Sequence, residues 1–311
     1  MKIAIVGSGA VGGYYGARLA RAGEEVHFLL RSDYAVVRDK GWRVTDHEGE
    51  WTLRPVHAHD RSESIGVCDC VVVATKSTAN PMLPPLVCPL LGESTMLLAL
   101  QNGLGNVEFH AGYAGAERVL GGLAFVCINR VGPGVLEKYI PGSVRLGEFS
   151  GAALDRTHDL AARFVRAGID CEAVDSLAAA LWRKLVWNVP FNGLTIAAGG
   201  VTTDVILARS EWRERAWQLM LEVRDGAAAL GIEIPESFLR RQMEVTYPMG
   251  AYKPSSLVDY LAGREVEVEA IWGEPARRAR ATGVVLPKLE ELYHQLQTLM
   301  RQPRTTPAKS G

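Results

Sequence analysis

The sequence predicts an α/β protein of two domains, a mostly parallel sheet domain followed by an all-α domain. Three observations lead there. The chain opens on a strand, a glycine-rich turn and a helix; polar clusters end two later apolar runs; and from Asp175 onward only helical periodicity remains. A length of 311 residues suits two domains, and 48% hydrophobic with 22% charged residues can build a sizeable core.

Lys2-Ile3-Ala4-Ile5-Val6 is a continuous apolar run after its first residue, the pattern of a strand buried on both faces of a parallel sheet. Gly7-Ser8-Gly9-Ala10-Val11-Gly12 follows it. Here Gly7 permits a tight turn, Gly9 lets backbone approach a pyrophosphate, and Gly12 lets the next helix pack closely on the strand. That helix, expected from Ala10 to about Ala22, directs its unpaired N–H groups and positive dipole end at the phosphates. Residues 1–172 are therefore expected to form a Rossmann-type dinucleotide-binding domain. The second strand, Glu25 to Leu30, ends at Arg31, where an NAD site usually carries an acid for the ribose 2′-hydroxyl. Arginine suits a 2′-phosphate instead, so the expected cofactor is NADP(H).

Trp42 to Thr45 and Trp51 to Arg54 read as a hairpin decorating the sheet. The parallel strands resume at Cys70 to Ala74, ending in Thr75-Lys76. After a proline-rich helical segment, Asn80 to Leu91, another strand runs from Thr95 to Leu100 into Gln101-Asn102-Gly103. Both polar endings fall at strand carboxyl ends, where open α/β sheets bind ligands. Val119 to Ile128, Val135 to Tyr139 and Ser143 to Leu146 are separated by glycine and proline turns and predict antiparallel strands. A helix from Asp155 to about Ala167 and a short strand around Cys171 close the domain.

Residues 173–301 are expected to be a helical substrate and catalytic domain, and 302–311 a disordered tail. Asp175 can cap a helix over Ser176 to Val189; Glu211 to Leu230 and Lys288 to Met300 repeat apolar residues at helical spacing. Within Leu181 to Asn192, the residues Lys184, Asn188 and Asn192 fall at i, i+4 and i+8, stacking one ammonium and two amides along one stripe. Pro190 should kink or break that helix. Spacing alone leaves two readings of Lys184 open, a catalytic group or a lysine snorkelling among tryptophans.

A net charge of −1 supplies no field for nucleic acid or an anionic membrane, so neither is an expected partner. The five cysteines are an odd number without C-x-x-C spacing and read as reduced, mostly core residues of a cytoplasmic protein. Cys68 with Cys70, and His57 with His59, lack further ligands, so no metal is expected. The apolar run after Lys2 lacks a small-residue cleavage site. Leu185 to Thr203 is uncharged but carries asparagines, a proline and glycines unsuited to a spanning helix. The expected assembly is a monomer or homodimer.

The ordered set of these pieces resembles the ketopantoate reductase (2-dehydropantoate 2-reductase) family from Lys2 to about Met300. The matching residues are the glycine turn with Arg31, Lys76, Gln101-Asn102-Gly103, Trp182-Arg183-Lys184-Leu185 with Asn188 and Asn192, Ser255-Ser256-Leu257, and Gly263-Arg264-Glu265-Val266-Glu267. The resemblance implies NADPH-dependent reduction of a branched 2-oxo acid, ketopantoate, to pantoate on the route to pantothenate and coenzyme A. It implies Lys184 as general acid and Glu267 as an acidic partner to the substrate hydroxyl. It further implies Asn102 as a contact to cofactor and substrate carbonyl, Lys76 at the junction of NADP and substrate, and Asn188, Asn192 and Ser256 as substrate ligands. Two alternatives stand beside this: a paralogous reductase of another 2-oxo acid, and a non-catalytic NADP(H) sensor. A sensor has no need for Lys184, Asn188, Asn192 and Glu267 to converge.

Overall fold

The computed structural model describes residues 1–302 of the chain. The chain divides into two compact units, Met1–Leu177 and the segment from Ala178 onward. The first runs β1 (Lys2–Val6), α1 (Ala10–Arg21), β2 (Glu25–Leu29), α2 (Tyr34–Lys40), β3 (Trp42–Asp46), β4 (Gly49–Leu53), β5 (His57–His59), β6 (Cys70–Val73), α3 (Pro84–Val87), β7 (Met96–Ala99), α4 (Asn106–Ala114), β8 (Val119–Gly132), β9 (Val135–Glu148), α5 (Asp155–Arg166) and β10 (Asp170–Ala173). The ten strands form one sheet in the order β4-β3-β9-β8-β7-β6-β1-β2-β5, with β10 also paired to β9.

The central part is parallel, and its register aligns the carboxyl ends. Val6 pairs with Leu29 on one side and with Val73 on the other, and Val73 pairs with Ala99. The chain winds outward from β1 in both directions, so β1 and β6 flank the reversal of strand order, where such sheets bind ligands. Buried Ile3, Ile5, Phe28, Trp42, Leu98 and Phe164 belong to the core cluster of this unit. The burial drives the assembly: each such side chain removed from water contributes about 1.5–3 kcal/mol.

Two expectations for the first unit change. The segment Val135 to Leu146 is one strand, not two, antiparallel to β8. The pairing slips by one residue between Phe125/Ser143 and Cys127/Ile140, a bulge that takes in Pro141 and Gly142. A Cβ on Gly142 would lie 2.3 Å from the Phe125 carbonyl oxygen, so glycine is needed there for the strands to meet at all. The expected helix over Asn80 to Leu91 is broken instead into a 3-10 segment Ser77–Met82, α3, and a second 3-10 turn Cys88–Leu90. Pro81, Pro84, Pro85 and Pro89 each remove an N–H donor, which accounts for the fragmentation. Of the cysteines, Cys68 and Cys70 are buried but Cys88 is exposed, and all five are free.

The second unit is helical: α6 (Leu177–Ala197), α7 (Thr203–Ala208), α8 (Ser210–Ala228), α9 (Glu236–Thr246), α10 (Ser255–Leu261), a π-helical turn Glu269–Gly273 running into α11 (Glu274–Ala281), and α12 (Pro287–Arg301). Among the described residues it has no strand. The tail expected over 302–311 lies, beyond Gln302, outside the described residues.

Pro190 does not break α6, which runs unbroken through it to Ala197. A proline inside a helix costs roughly 3 kcal/mol. Val189, Phe191 and Leu194, all fully buried, offset this with several kcal/mol of burial around the same turn. The turn is also gripped from outside, because the Trp272 indole N–H donates to the Val189 carbonyl at 2.9 Å. Gly193 admits that contact: a Cβ there would stand 2.7 Å from Leu292 Cδ2 and 2.9 Å from Trp272 Nε1.

Among the described residues no helix is long and apolar enough to cross a membrane.

Candidate functional site

The turn after β1 is built to receive an anion. Gly7 has φ of +96°, and a Cβ on it would lie 2.5 Å from the Thr75 backbone nitrogen. Only glycine fits that conformation and that contact. A Cβ on Gly12 would meet the Gly7 carbonyl oxygen at 2.4 Å, which is how closely α1 packs on the strand that feeds it. Gly9 differs from both, since a Cβ there would meet nothing within 4 Å. The space in front of Gly9 is open.

Gly13 N–H donates to the Gly9 carbonyl, closing the first bond of α1, and Gly9 N–H is taken by the Gly7 carbonyl at 2.7 Å. That leaves the N–H groups of Ala10, Val11 and Gly12 with no acceptor among the described residues, at the positive end of a helix with no acidic residue in its first turn. Open space in front of three unpaired donors fits a pyrophosphate. The Ser8 hydroxyl faces inward, within hydrogen-bond distance of the Ile5 and Leu29 carbonyls at 3.2 and 3.0 Å, so Ser8 ties two strand ends together with its side chain. Arg31, just past β2, is exposed and has no hydrogen bond or ion pair among the described residues.

The ends of β6 and β7 carry a buried polar network. Gln101 Nε2 donates to Thr75 Oγ1 at 3.2 Å and to Asn80 Oδ1 at 2.7 Å; Asn80 Nδ2 donates to Asn106 Oδ1 at 3.0 Å; Asn106 Nδ2 donates to the Asn102 carbonyl at 2.9 Å. Gln101 Oε1 meets His110 Nε2 at 2.7 Å, and His110 Nδ1 meets the Tyr113 hydroxyl at 2.7 Å. This network fixes the two turns that hold Lys76 and Asn102. The side chains of Asn80, Asn106 and His110 belong to no motif in the sequence; the available signal is the spacing of Asn106, His110 and Tyr113 at i, i+4 and i+7, one face of a helix beginning at Asn106.

The second unit brings another group together. Lys184, Asn188 and Asn192 share one stripe of α6, as their spacing requires, with Lys184 half-buried and the two asparagines buried. Asn192, 1% exposed, accepts the Ser256 backbone N–H on Oδ1 at 2.9 Å. Ser255 Oγ lies 3.5 Å from the same oxygen. Asn192 thus supplies the cap that α10 lacks at its own N-terminus, which fixes its amide orientation. Asn188 is 8% exposed, and its amide makes no side-chain hydrogen bond among the described residues. A buried amide without a partner is costly unless something else supplies one.

Glu267 is buried and directly precedes the first helical residue before the π turn, its carbonyl accepting Ile271 N–H at 3.1 Å. A π turn packs an extra residue into the helix and recurs at functional positions. Burial pushes the Lys184 ammonium down to about 8, against the pull of the Glu267 carboxylate, which favours the charged form. Lys184 and Glu267 are therefore electrostatic partners, and the amine titrates near neutrality.

His57 and His59 lie on an edge strand, β5, with His59 Nε2 3.0 Å from His27 Nδ1. Among the described residues no group of three or more His, Cys, Asp or Glu side chains is placed to hold a metal ion.

Comparison with known proteins adds a family context. The family described as "Ketopantoate reductase PanE/ApbA" matches residues 3–151, and "Ketopantoate reductase PanE/ApbA C terminal" matches 176–300. The chain is 41% identical to a 2-dehydropantoate 2-reductase of Nostoc sp., over 98% of this chain and 97% of the relative. It is 32% identical to one of Mesorhizobium japonicum, over 87% and 89%. A crystal structure of 2-dehydropantoate 2-reductase from Geobacter metallireducens GS-15 superposes with a TM-score of 0.93 at 43% identity, covering 96% of this chain and 99% of that one.

Proposed function

The chain belongs to the ketopantoate reductase PanE/ApbA family, and from that we propose that it reduces 2-dehydropantoate to (R)-pantoate with NADPH, Lys184 acting as the general acid. The observation that carries this reading is the electrostatic pair of Lys184 and Glu267, with an unpartnered Asn188 on the lysine's own stripe of α6. A nicotinamide dinucleotide supplies hydride to the 2-carbon when it is bound. The N–H groups of Ala10, Val11 and Gly12 would hold its pyrophosphate, with Gly7, Ser8 and Gly9 shaping the turn, and Arg31 would hold its 2′-phosphate.

Negative charge develops on the 2-oxygen as the carbonyl is reduced. Lys184, kept as an ammonium by Glu267 at neutral pH, stabilises that charge and delivers the proton, giving the 2-hydroxy acid. Glu267 also offers an acceptor for a substrate hydroxyl. Asn188 donates or accepts without adding charge, as does the Ser256 hydroxyl, and Asn192 retains an N–H₂ group once its oxygen is committed to α10. Lys76 and Asn102, on adjacent strand ends, are assigned to the nicotinamide side. The cradle domain is taken as residues 1–172 and the substrate domain as 173–301. Free cysteines throughout suit a reducing cytoplasm.

The test is NADPH consumption with 2-dehydropantoate beside a panel of branched and unbranched 2-oxo acids. Strong preference for 2-dehydropantoate is the expected result; tight NADPH binding with faster turnover of another acid would move the substrate assignment to that acid. Arg31→Ala is expected to weaken NADPH by roughly ten- to a hundredfold, the worth of a charge-assisted hydrogen bond, with little change for NADH. Equal affinity changes for the two cofactors, measured by fluorescence titration, would remove Arg31 from the site.

A further inference from the structure

The network at the ends of β6 and β7 has a direction. Gln101 Nε2 donates twice, to Thr75 and Asn80, so its Oε1 must accept, and the donor is His110 Nε2–H. In the neutral ring His110 Nδ1 is then the acceptor, and the Tyr113 hydroxyl donates to it. Every link therefore points the same way: Tyr113 O–H to His110, His110 to Gln101, Gln101 to Asn80, Asn80 to Asn106, Asn106 to the carbonyl of Asn102.

We propose that His110 is a positioning residue for the reduction, its Nε2–H anchoring the Gln101 end of the amide series that holds the Asn102 and Thr75-Lys76 turns. The proposal rests on the functional reading above, in which Asn102 and Lys76 meet the nicotinamide and the substrate carbonyl. Three observations support it. His110 is fully buried, with Gln101 and Asn106 nearly so, and an apolar cluster of the same shape would be about as stable, so stability alone does not call for these groups. Burial lowers His110 to about 4, which keeps the ring neutral, and raises Tyr113, which keeps its hydroxyl a donor. The network also reaches the glycine turn, because Thr75, which accepts from Gln101, is the residue whose backbone nitrogen stands against Gly7.

No single amide can turn over without breaking the series. With the Gln101 amide turned over, its N–H₂ would face His110 N–H and its oxygen would face Asn80 Oδ1, two repulsive contacts at once. Removing the His110 donor leaves Gln101 Oε1 buried without its partner and loosens the backbone from which Asn102 projects. A misplacement of about 1 Å in such a turn lowers turnover by up to about a hundredfold.

The experiment compares His110→Leu and His110→Gln with the wild-type enzyme, reading kcat, KM, NADPH affinity and the primary isotope effect with 4-deuterated NADPH. His110→Leu should lower kcat ten- to a hundredfold, raise the isotope effect, and change NADPH affinity less than threefold. His110→Gln, which keeps a donor at the Nε2 position, should recover most of the loss. Unchanged kcat in His110→Leu, equal loss in both variants, or a loss with an unchanged isotope effect would overturn the proposal. Should His110→Leu not fold, Tyr113→Phe decides: removing the leading O–H frees the tautomer and should lower kcat several-fold with a raised isotope effect, and wild-type kinetics would overturn the proposal. A wild-type enzyme inactive on every 2-oxo acid would instead sink the functional reading. The ¹⁵N shifts of His110 then decide separately, a neutral ring protonated at Nε2 supporting the assignment and one protonated at Nδ1 refuting it.

Discussion

Lys184→Met lowers kcat by about 10²- to 10⁴-fold while NADPH affinity stays within about threefold, because a general acid contributes that much to a rate and nothing to holding the pyrophosphate. The fold survives, since an ammonium in a desolvated setting is exchanged for an apolar side chain of similar length. Thermal unfolding of the variant should stay cooperative with a lowered midpoint, because buried Glu267 loses its cation, and the retained transition separates lost chemistry from lost structure. A parallel loss of NADPH binding would sink the assignment. The same residue sets the pH profile. With Lys184 titrating at about 8, the protonated and active form prevails below that value, so turnover falls as pH rises through it. Glu267 holds the titration up, so Glu267→Gln must move the midpoint lower and shrink the active range from the alkaline side. An unmoved midpoint in that variant would show that the two groups do not act as a pair.

The second large effect is a contrast between neighbouring glycines. Gly7→Ala places a Cβ 2.5 Å from the Thr75 nitrogen at φ +96°, so the turn must rearrange, and both stability and NADPH binding are lost. The conformational part alone costs about 1–2 kcal/mol. Gly9→Ala adds a methyl at φ −84° into open space, so the melting temperature is nearly unchanged. Yet the methyl occupies the volume in front of the unpaired N–H groups, and NADPH affinity falls by roughly a hundredfold or more, the worth of two charge-assisted hydrogen bonds. Calorimetry and fluorescence titration of both variants check this. A Gly9→Ala protein that binds NADPH normally would place the pyrophosphate elsewhere.

Features carried by contiguous residues are legible in the sequence. The glycine turn sits between a strand and a helix in the chain itself, and Lys184, Asn188 and Asn192 share a stripe because helical geometry demands it. The second commitment of Asn192, capping α10 from another helix, is not legible there, because the bond to Ser256 spans residues far apart in the chain. Nor is the hydrogen-bonded series from Tyr113 to Asn102, whose members come from the 3-10 segment after β6, the end of β7 and α4. Proline misleads twice for one reason. Its local cost is fixed, but whether a helix or strand tolerates it depends on burial, as at Pro190, or on a bulge, as at Pro141.

The neutrality of His110 has a consequence for how the enzyme responds to its surroundings. Over the range where cells operate, the series from Tyr113 to Asn102 has no proton to gain or lose, so its amides keep one orientation whether the medium is mildly acidic or mildly alkaline. The alkaline fall in turnover is then set by Lys184 and its carboxylate partner, with no step contributed by the buried series that holds the strand ends.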